Sequence, residues 1–490
     1  MKINKVAVSL IAAGVMASPL AYATNGMNLE GYGPVAGAMG GASMAYDNGT
    51  AAVMNNPATL GLMKEGSRAD FALGILAPSI TSTFTGMPSA DSSATAFYMP
   101  AIGYARKSGQ FTYGAGVFSQ GGMGTEYAAN SFMASGGVAG GTGDIVRSEV
   151  GVGRFIIPLA YQVDDKITVG GSLDFVWAGM DLKMALSGAQ FGDMVQGLGG
   201  TQTYGTASNS MVNTLVGAFT VPQAACGGVA CLASMNWARV DFSNSSAFTG
   251  QAKGNGSAFK LGGTFKVSSQ LTLGATYHSK TSLGDLTAPG ASMSMNVKGP
   301  ATLGNATTIP VTGNISVHNF QWPQTFGFGA AFQASDQLLL VADYKRIGWK
   351  DVMKNFSVTF TADATQTGAA GPVSGGGFGL GGQIVDMTLL QNWDDQNVFE
   401  LGGAYKTSDA LTLRAGLNVA NNPVPDKYMN PLFPAIAKNH VTFGAGYAVS
   451  KASSVDFDYV YVPKVSATNG QGVTVDFGGY SAQFMYSYKY

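Results

Sequence analysis

Charged side chains are scarce in this sequence. Asp, Glu, Lys and Arg make up 11% of its 490 residues, whereas ordinary soluble proteins contain about 25%. The 27 basic residues nearly balance the 28 acidic ones, and no run of Lys or Arg offers nucleic acid an electrostatic footprint. A chain of this length with so little charge cannot cover the surfaces of water-soluble domains. The composition argues against a soluble protein and against phosphate-backbone binding.

Cysteine and histidine are scarcer still. Cys226 and Cys231 are the only cysteines, and in an exported protein we expect such a pair to form a disulfide that closes a small local ring. The three histidines, His278, His318 and His440, lie in no recognisable Ser-His motif. We therefore expect no catalytic residue, no metal site and no cofactor, and a hydrolase assembled from distant residues is the alternative left open.

Long apolar runs are missing beyond the first 23 residues. Lys2 and Lys5 precede an apolar stretch at 6–16, and Ala21-Tyr22-Ala23 offers the small residues of a signal-peptidase site. Residues 1–23 are therefore expected to be a signal peptide, cleaved near Ala23. Downstream, Gly, Ser, Thr and Asn interrupt every candidate run, so the sequence excludes helical membrane spans.

Two-residue alternation of large apolar and small or polar side chains is abundant. It runs through 167–177, 271–278, 411–418 and 479–490, which is the period of a strand with two different faces. Such long stretches, whose polar face is mostly Gly, Ser and Thr, differ from the short strands with charged outer faces in soluble sandwiches. Among structures that span a bilayer with strands, only a closed barrel pairs every backbone group. Aromatic residues at strand ends, such as Tyr277 and Trp349, predict an interfacial girdle.

Short polar turns allow the strands to be counted. Six of them separate alternating stretches, at 107–109, 164–165, 268–270, 335–337, 408–409 and 450–451. If each is a periplasmic hairpin, an opening and a closing strand bring the total to fourteen. The sequence predicts an all-β, antiparallel transmembrane barrel over 67–490, with long extracellular loops of which 184–235 is the largest.

Residues 24–66 do not alternate and are rich in Gly, Ala and Asn. A barrel of fourteen strands is wide enough to need something in its lumen, and irregular backbone at membrane depth requires surrounding protein. We interpret this segment as a hatch, or plug, inside the barrel. A disordered periplasmic tail is the alternative.

Apolar residues recur at helical spacing within the loop 184–235. Two helices there pack on each other, or they leave a groove between them that captures a hydrophobic molecule, with flexible methionines adapting to its shape. The candidate capture residues are Phe191, Met194, Val195, Leu198, Met211, Val212, Leu215, Val216 and Phe219.

Four charged residues fall on the polar strand face, Arg154, Lys345, Glu400 and Arg414. Glu400 and Arg414 lie at similar distances from the turn at 408–409, so we expect them to face each other as an ion pair. The alternative is that Arg154, Lys345 or Arg414 meets a carboxylate of the cargo.

The N-terminal motif Gly-Pro-Val-Ala-Gly-Ala-Met-Gly-Gly-Ala-Ser, followed by Asn56-Pro57-Ala58, resembles the start of the FadL and TodX outer-membrane hydrophobe transporters. Asp409-Ala410-Leu411-Thr412-Leu413-Arg414-Ala415-Gly416 and Pro423-Val424-Pro425-Asp426 extend the resemblance, and blocks around Trp322 and Trp393 add weaker support.

The resemblance implies a fourteen-stranded barrel of the Gram-negative outer membrane, with an N-terminal hatch that includes Asn56, Pro57 and Ala58. It implies passive transport of long-chain fatty acids or, alternatively, aromatic hydrocarbons, with exit through a gap in the third strand, here at Gly121 and Gly122. We expect a monomer whose partners are a hydrophobic ligand and membrane lipid. A general porin and an adhesin-like surface barrel are the less favoured alternatives.

Overall fold

The computed structural model describes residues 25–136, 141–221, 232–246, 250–299, 306–366 and 379–490. Within these ranges the chain forms one antiparallel sheet of 22 strands. The strands are β1 (Gly66–Thr83), β2 (Ala90–Asp91), β3 (Phe97–Ser108), β4 (Phe111–Tyr127), β5 (Val146–Gln162), β6 (Ile167–Ser187), β7 (Gly205–Ser208), β8 (Ser234–Phe242), β9 (Ala252–Lys266), β10 (Leu271–His278), β11 (Ser282–Leu283), β12 (Leu286–Lys298), β13 (Thr307–His318), β14 (Thr325–Gln333), β15 (Leu338–Ile347), β16 (Asn355–Ala362), β17 (Ile384–Leu390), β18 (Gln396–Lys406), β19 (Leu411–Ala420), β20 (Asn439–Ala448), β21 (Ser453–Thr468) and β22 (Thr474–Lys489).

Strand pairing closes part of this sheet into a barrel. The ring runs β1, β3, β4, β5, β6, β9, β10, β14, β15, β18, β19, β20, β21 and β22, and β22 pairs again with β1. Backbone hydrogen bonds between Ser67 and Tyr490 continue the closure, at 2.7 and 3.0 Å. A closed ring leaves no sheet edge unpaired, which is the condition for placing strands in hydrocarbon.

The six short turns named above join ring strands at one end of the barrel, which we call the turn end. At the opposite, loop end a second run of pairing leaves the barrel wall, in the order β6, β8, β12, β13, β16, β17 and β7. The predicted total of fourteen strands is not matched by the whole sheet, because the long excursions contain strands of their own.

The barrel wall has two chemically different faces. Large apolar side chains point outward along the ring strands, as with Leu173 (72% exposed), Leu401 (59%) and Ile157 (56%). Tyr277 lies at the end of β10, but Trp349 does not belong to an outer girdle, because it is fully buried at 0% exposure. The prediction for Trp349 was wrong, because this residue begins a short helix after β15 and packs in the buried core.

Four short α-helices are present in the described residues: α1 (Pro34–Gly37), α2 (Gly188–Met194), α3 (Ser210–Thr220) and α4 (Trp349–Val352). Single 3-10 turns occur at Gly49–Val53, Pro57–Leu62, Phe132–Ala134, Gln196–Leu198 and Asp426–Tyr428. None of the described helices has the length and apolar character needed to cross a membrane. Residues 1–24, with the expected signal peptide, and the pair Cys226 and Cys231 lie outside the described residues.

Candidate functional site

The segment 25–65, here called the N-terminal segment, packs inside the barrel near the turn end. Its contacts reach strands around the ring, from β3 and β6 through β9 and β10 to β18, β19 and β20. Seven of these strands each present a glycine to it, and we call these residues the glycine belt: Gly103, Gly170, Gly262, Gly274, Gly402, Gly416 and Gly444.

At each position of the glycine belt, backbone or side-chain atoms of the N-terminal segment approach the wall closely. A Cβ atom added at Gly262 would lie closer than 3.0 Å to the Asn56 side chain, and one at Gly416 would lie as close to backbone atoms of Met39 and Gly40. Such contacts force a shift in any larger residue, so only glycine fits without disturbing the segment. The belt explains why so many strands carry glycine on the lumen face.

Asn56-Pro57-Ala58 fastens this segment to the wall. The Asn56 side chain accepts a hydrogen bond from the Ala58 amide (3.1 Å) and donates to the carbonyl oxygens of Met44 (2.8 Å) and Gly263 (3.3 Å). It thereby caps the turn Pro57–Leu62, because an N-terminal Asn satisfies a free amide at a helix start. One amide side chain therefore joins three pieces of backbone.

Lys345 is the second attachment of the segment. Its ammonium donates to Glu400 Oε1 (2.9 Å) and to the carbonyl oxygens of Glu30 (3.1 Å) and Gly41 (3.2 Å). Asp343, two residues before it, accepts hydrogen bonds from backbone amides of the same segment. The charged lumen residues of β15 are therefore already used in holding the N-terminal segment.

Glu400 and Arg414 do not form the expected ion pair. In the register of β18 and β19, Arg414 lies opposite Ala404, and Glu400 lies opposite Asn418. Arg414 instead binds Asp456 Oδ1 at 2.8 Å, and Glu400 binds Lys345. The prediction was wrong because the centre of the hairpin is at Asp409, which leaves the two side chains four residues out of register.

Arg154 also has a carboxylate partner within the protein. It donates to Asp174 Oδ2 at 2.7 Å, and both side chains are buried. Lys260 forms an ion pair with the same carboxylate, and Ser172 donates to its other oxygen at 2.7 Å. Arg154, Lys345 and Arg414 each have a carboxylate partner inside the protein, which leaves the hypothesis of a cargo carboxylate there without support.

The wall is irregular at the predicted third-strand position. The register between β4 and β5 shifts between Ser119 and Gly121, which is a β-bulge. Asn28 of the N-terminal segment bridges Gly121, and the Gly122 amide donates to the Met27 carbonyl at 3.2 Å. The start of the segment therefore rests against the irregular stretch of the wall.

A cavity of about 550 Å³ opens at the loop end, and we call it the outer cavity. Five methionines line it: Met87, Met133, Met184, Met194 and Met429. Lys427 and Asp193 are the charged residues that line it within the described residues. Hydrogen bonds from Thr201 hold the pKa of Asp193 below its usual value, so this carboxylate is ionised at neutral pH.

The two helices predicted in loop 184–235 are present, and most of the residues predicted to line a groove between them are buried. Met211, Val212 and Leu215 of α3 and Phe191 of α2 are each less than 5% exposed, and Val195 is buried after α2. Leu198, Val216 and Phe219 pack against the same core. Of the nine residues predicted to form the groove, only Met194 lines the outer cavity. The apolar faces proved to be core, and the open space lies beside α2.

A smaller space of about 30 Å³, the inner pocket, lies next to the outer cavity. The two share the lining residues Met184, Leu389, Gln391 and Asn430. Met27 also lines the inner pocket, so the pocket reaches the start of the N-terminal segment and hence the bulge at Gly121. These contacts form a continuous series from the loop end to the irregular wall.

A cluster of three tryptophans stands beside the inner pocket. Trp322 and Trp349 meet edge to face at 5.7 Å between ring centroids, and Trp349 and Trp393 meet at 5.3 Å. The Trp322 indole donates to Asn28 Oδ1, and Trp349 donates to Gln396 Oε1 at 3.3 Å. The cluster therefore supports the same segment that rests against the bulge.

Comparison with known families gives a decisive result for this architecture. Residues 9–486 match the model of the outer membrane protein transport protein family (OMPP1/FadL/TodX). The chain belongs to this family. Membership makes it an outer-membrane β-barrel and a transport protein for hydrophobic compounds.

Solved members of the family share the whole fold. The P. putida toluene transporter TodX is 28% identical, with a TM-score of 0.77 over 94% of this chain and 99% of TodX. The Ralstonia pickettii toluene transporter TbuX is 29% identical, with a TM-score of 0.70 over 94% of this chain and 99% of TbuX.

An uncharacterised Chlorobium limicola protein is 57% identical over 82 residues, which is 16% of this chain and 40% of that protein.

Sequence reasoning missed the glycine belt and the buried role of the tryptophans. Paired glycines at 170–171, 262–263 and 402–403 were a usable signal, because each pair falls within an alternating strand where a bulky residue is expected. The tryptophans gave a weaker signal, since a strand-end tryptophan suits either a lipid interface or a buried cluster.

Proposed function

We propose that this protein imports uncharged hydrophobic molecules, with aromatic hydrocarbons favoured over long-chain fatty acids. The observation that carries this proposal is the series of spaces from the outer cavity through the inner pocket to Met27 and the bulge at Gly121. No charged residue lines the inner pocket among the described residues. An ionised carboxylate would lose its water there without gaining a cation.

The solved relatives support the same choice, since TodX and TbuX are described as toluene transporters. Burying the seven carbons of toluene yields about 5–6 kcal/mol before ordering costs. A millimolar dissociation constant corresponds to about 4 kcal/mol. Capture of this strength is sufficient for uptake from dilute solution and still permits release without an energy source.

Three features are part of the proposal. The ring strands cross the outer membrane fourteen times, the N-terminal segment acts as a hatch that blocks the lumen, and cargo leaves sideways at Gly121 and Gly122 into the bilayer. The glycine belt supports lateral exit, because a segment packed against so many strands opposes movement along the barrel axis.

Uptake by cells that express the protein tests the proposal. Cells lacking other hydrophobe channels should accumulate radiolabelled toluene or styrene faster with this protein than with an empty vector. Purified protein should also bind styrene in detergent. Equal uptake with and without the protein, together with no binding, would contradict the proposal. High conductance in planar bilayers would instead favour a general porin.

Long-chain fatty acids are the second candidate, because of Lys427 at the outer cavity. This residue is exposed, and among the described residues its ammonium has a ring contact with Tyr428 at 5.1 Å but no carboxylate partner. A cavity of about 550 Å³ is large enough for a folded acyl chain. Oleate uptake that is lost in Lys427→Gln, with styrene uptake unchanged, would favour this candidate.

A further inference from the structure

One of the three indole N–H groups in the tryptophan cluster lacks the hydrogen bond that the other two form. Trp322, Trp349 and Trp393 are all at most 1% exposed. Trp322 donates to Asn28 and Trp349 donates to Gln396. Nε1 of Trp393 is buried and has no hydrogen-bond partner among the described residues. Buried donors are nearly always paired, so this group calls for an explanation.

Trp393 is also the member of the cluster that lines the inner pocket. Its neighbours in that lining are mostly apolar, and Gln391 and Asn430 are the polar side chains that complete it. Asn430 Oδ1 already accepts the Leu432 amide at 2.9 Å. The residue whose indole N–H lacks an acceptor therefore lies in the lining of a mostly apolar pocket. Apolar walls with a single polar group are the pattern of a site that orients a ligand by one polar contact.

The size of the pocket indicates how it fills. A space of about 30 Å³ holds roughly two waters, and an aromatic ring requires more. Met27, Met180, Met184 and Met353 all line it. Unbranched methionine side chains change rotamer readily, so the pocket can widen around a ring. Before cargo binds, a water would accept a hydrogen bond from the indole N–H. An acceptor on the cargo would then replace that water.

We propose that Trp393 Nε1 donates a hydrogen bond to the cargo, and that the inner pocket selects uncharged aromatic molecules with one acceptor, such as an aldehyde, ketone or ether oxygen, over the corresponding hydrocarbons. This inference rests on the proposed transport function and refines its substrate class. A hydrocarbon must displace the water from the indole and leave the donor unpaired, whereas an aryl carbonyl replaces the lost partner.

Styrene and benzaldehyde form a matched pair for the test, because they share the ring and differ in a terminal CH₂ or oxygen. Their dissociation constants are measured by calorimetry on purified wild-type, Trp393→Phe and Trp349→Phe proteins, and their uptake is measured in cells. Trp393→Phe should weaken benzaldehyde binding about fivefold and leave styrene binding unchanged or tighter. The indole N–H of Trp349 already has a protein acceptor, so Trp349→Phe should change the dissociation constants of both molecules by the same factor.

Equal effects of Trp393→Phe on the two molecules would overturn the selectivity while leaving the transport function standing. Failure of the wild-type protein to bind or import either molecule would refute the transport function itself. Because an aromatic variant can fold poorly, the wild-type protein provides a second readout. With ¹⁵N-labelled indoles, benzaldehyde should move the Trp393 resonance downfield and styrene should not, whereas an unmoved resonance under saturating benzaldehyde would contradict the proposed hydrogen bond.

Discussion

The N-terminal segment fills the lumen at the turn end of the barrel, whereas the loop end of the same barrel holds an open cavity. At the turn end, glycines of the belt let the N-terminal segment lie against the wall, and buried ions such as Lys345 and Glu400 fasten it. At the loop end, flexible methionines surround open space. Close contact between backbones opposes movement, and adaptable side chains permit it. Under the proposed function, the turn end forms the seal and the loop end captures the cargo.

Breaking the ion pair of Lys345 should have the largest effect on the seal. Lys345→Met leaves Glu400 buried without its cation, which costs about 3–5 kcal/mol of folding free energy. Urea unfolding in detergent, followed by tryptophan fluorescence, measures the loss. The double variant Lys345→Met/Glu400→Gln removes both charges and should regain most of the stability. A single variant as stable as the wild type would contradict the role of this pair.

Filling one position of the glycine belt should have the next largest effect. Gly262→Ala places a methyl group against Asn56, and overpacking of this kind costs about 1–3 kcal/mol. Limited proteolysis should also release the N-terminal segment sooner. Gly263→Ala is the matched control, because its added Cβ meets only Thr168 O at 3.9 Å. Equal stability of the two variants would show that the belt does not hold the segment.

Filling the outer cavity should affect capture but not the seal. Leu186→Trp narrows the cavity that Leu186 lines, and the substrate concentration for half-maximal styrene uptake should rise roughly fivefold as burial of the cargo is lost. Unfolding should be unchanged within error. Leu173→Trp, at a lipid-facing position 72% exposed, serves as the control. Unaltered uptake in Leu186→Trp would place capture elsewhere.

Removing the titration of Glu30 should have the smallest effect on the stability of the seal, and this effect should depend on pH. Burial raises the pKa of Glu30 well above its usual value of 4.5, so the folded state keeps a proton that the unfolded chain releases. The contribution of Glu30 to stability should therefore fall as the pH rises above 4.5. Glu30→Gln cannot titrate, and it should match the wild type at pH 4 and exceed it at pH 8. Parallel pH profiles of the two proteins would rule out this titration.

The barrel could be predicted from the sequence because its signals are local. Alternation over 167–177 gives a strand with a lipid face, and polar pairs such as Ser408-Asp409 give its turns. Helical spacing likewise gave α3. These patterns depend on neighbours along the chain, so they do not need knowledge of the tertiary fold.

Tertiary contacts were harder to infer. Exact register decides which residues face each other, and a few residues of error placed Arg414 opposite Glu400 instead of Ala404. The apolar face of α3 was recognised, but the sequence does not say whether a partner covers it, and Met211 proved to be fully buried. The inner pocket depends on residues far apart in sequence, from Met27 to Phe433, and no local pattern brings them together.

Blocking the wall from outside would test the central claim of sideways exit most directly. Gly151 pairs with Gly122 beside the bulge, and it is exposed with nothing within 4 Å of an added Cβ, so Gly151→Trp fits without disturbing the protein. Initial rates of styrene uptake are compared with styrene binding to the purified variant. We predict at least about tenfold slower uptake with unchanged binding, and uptake at the wild-type rate would contradict lateral exit at this site.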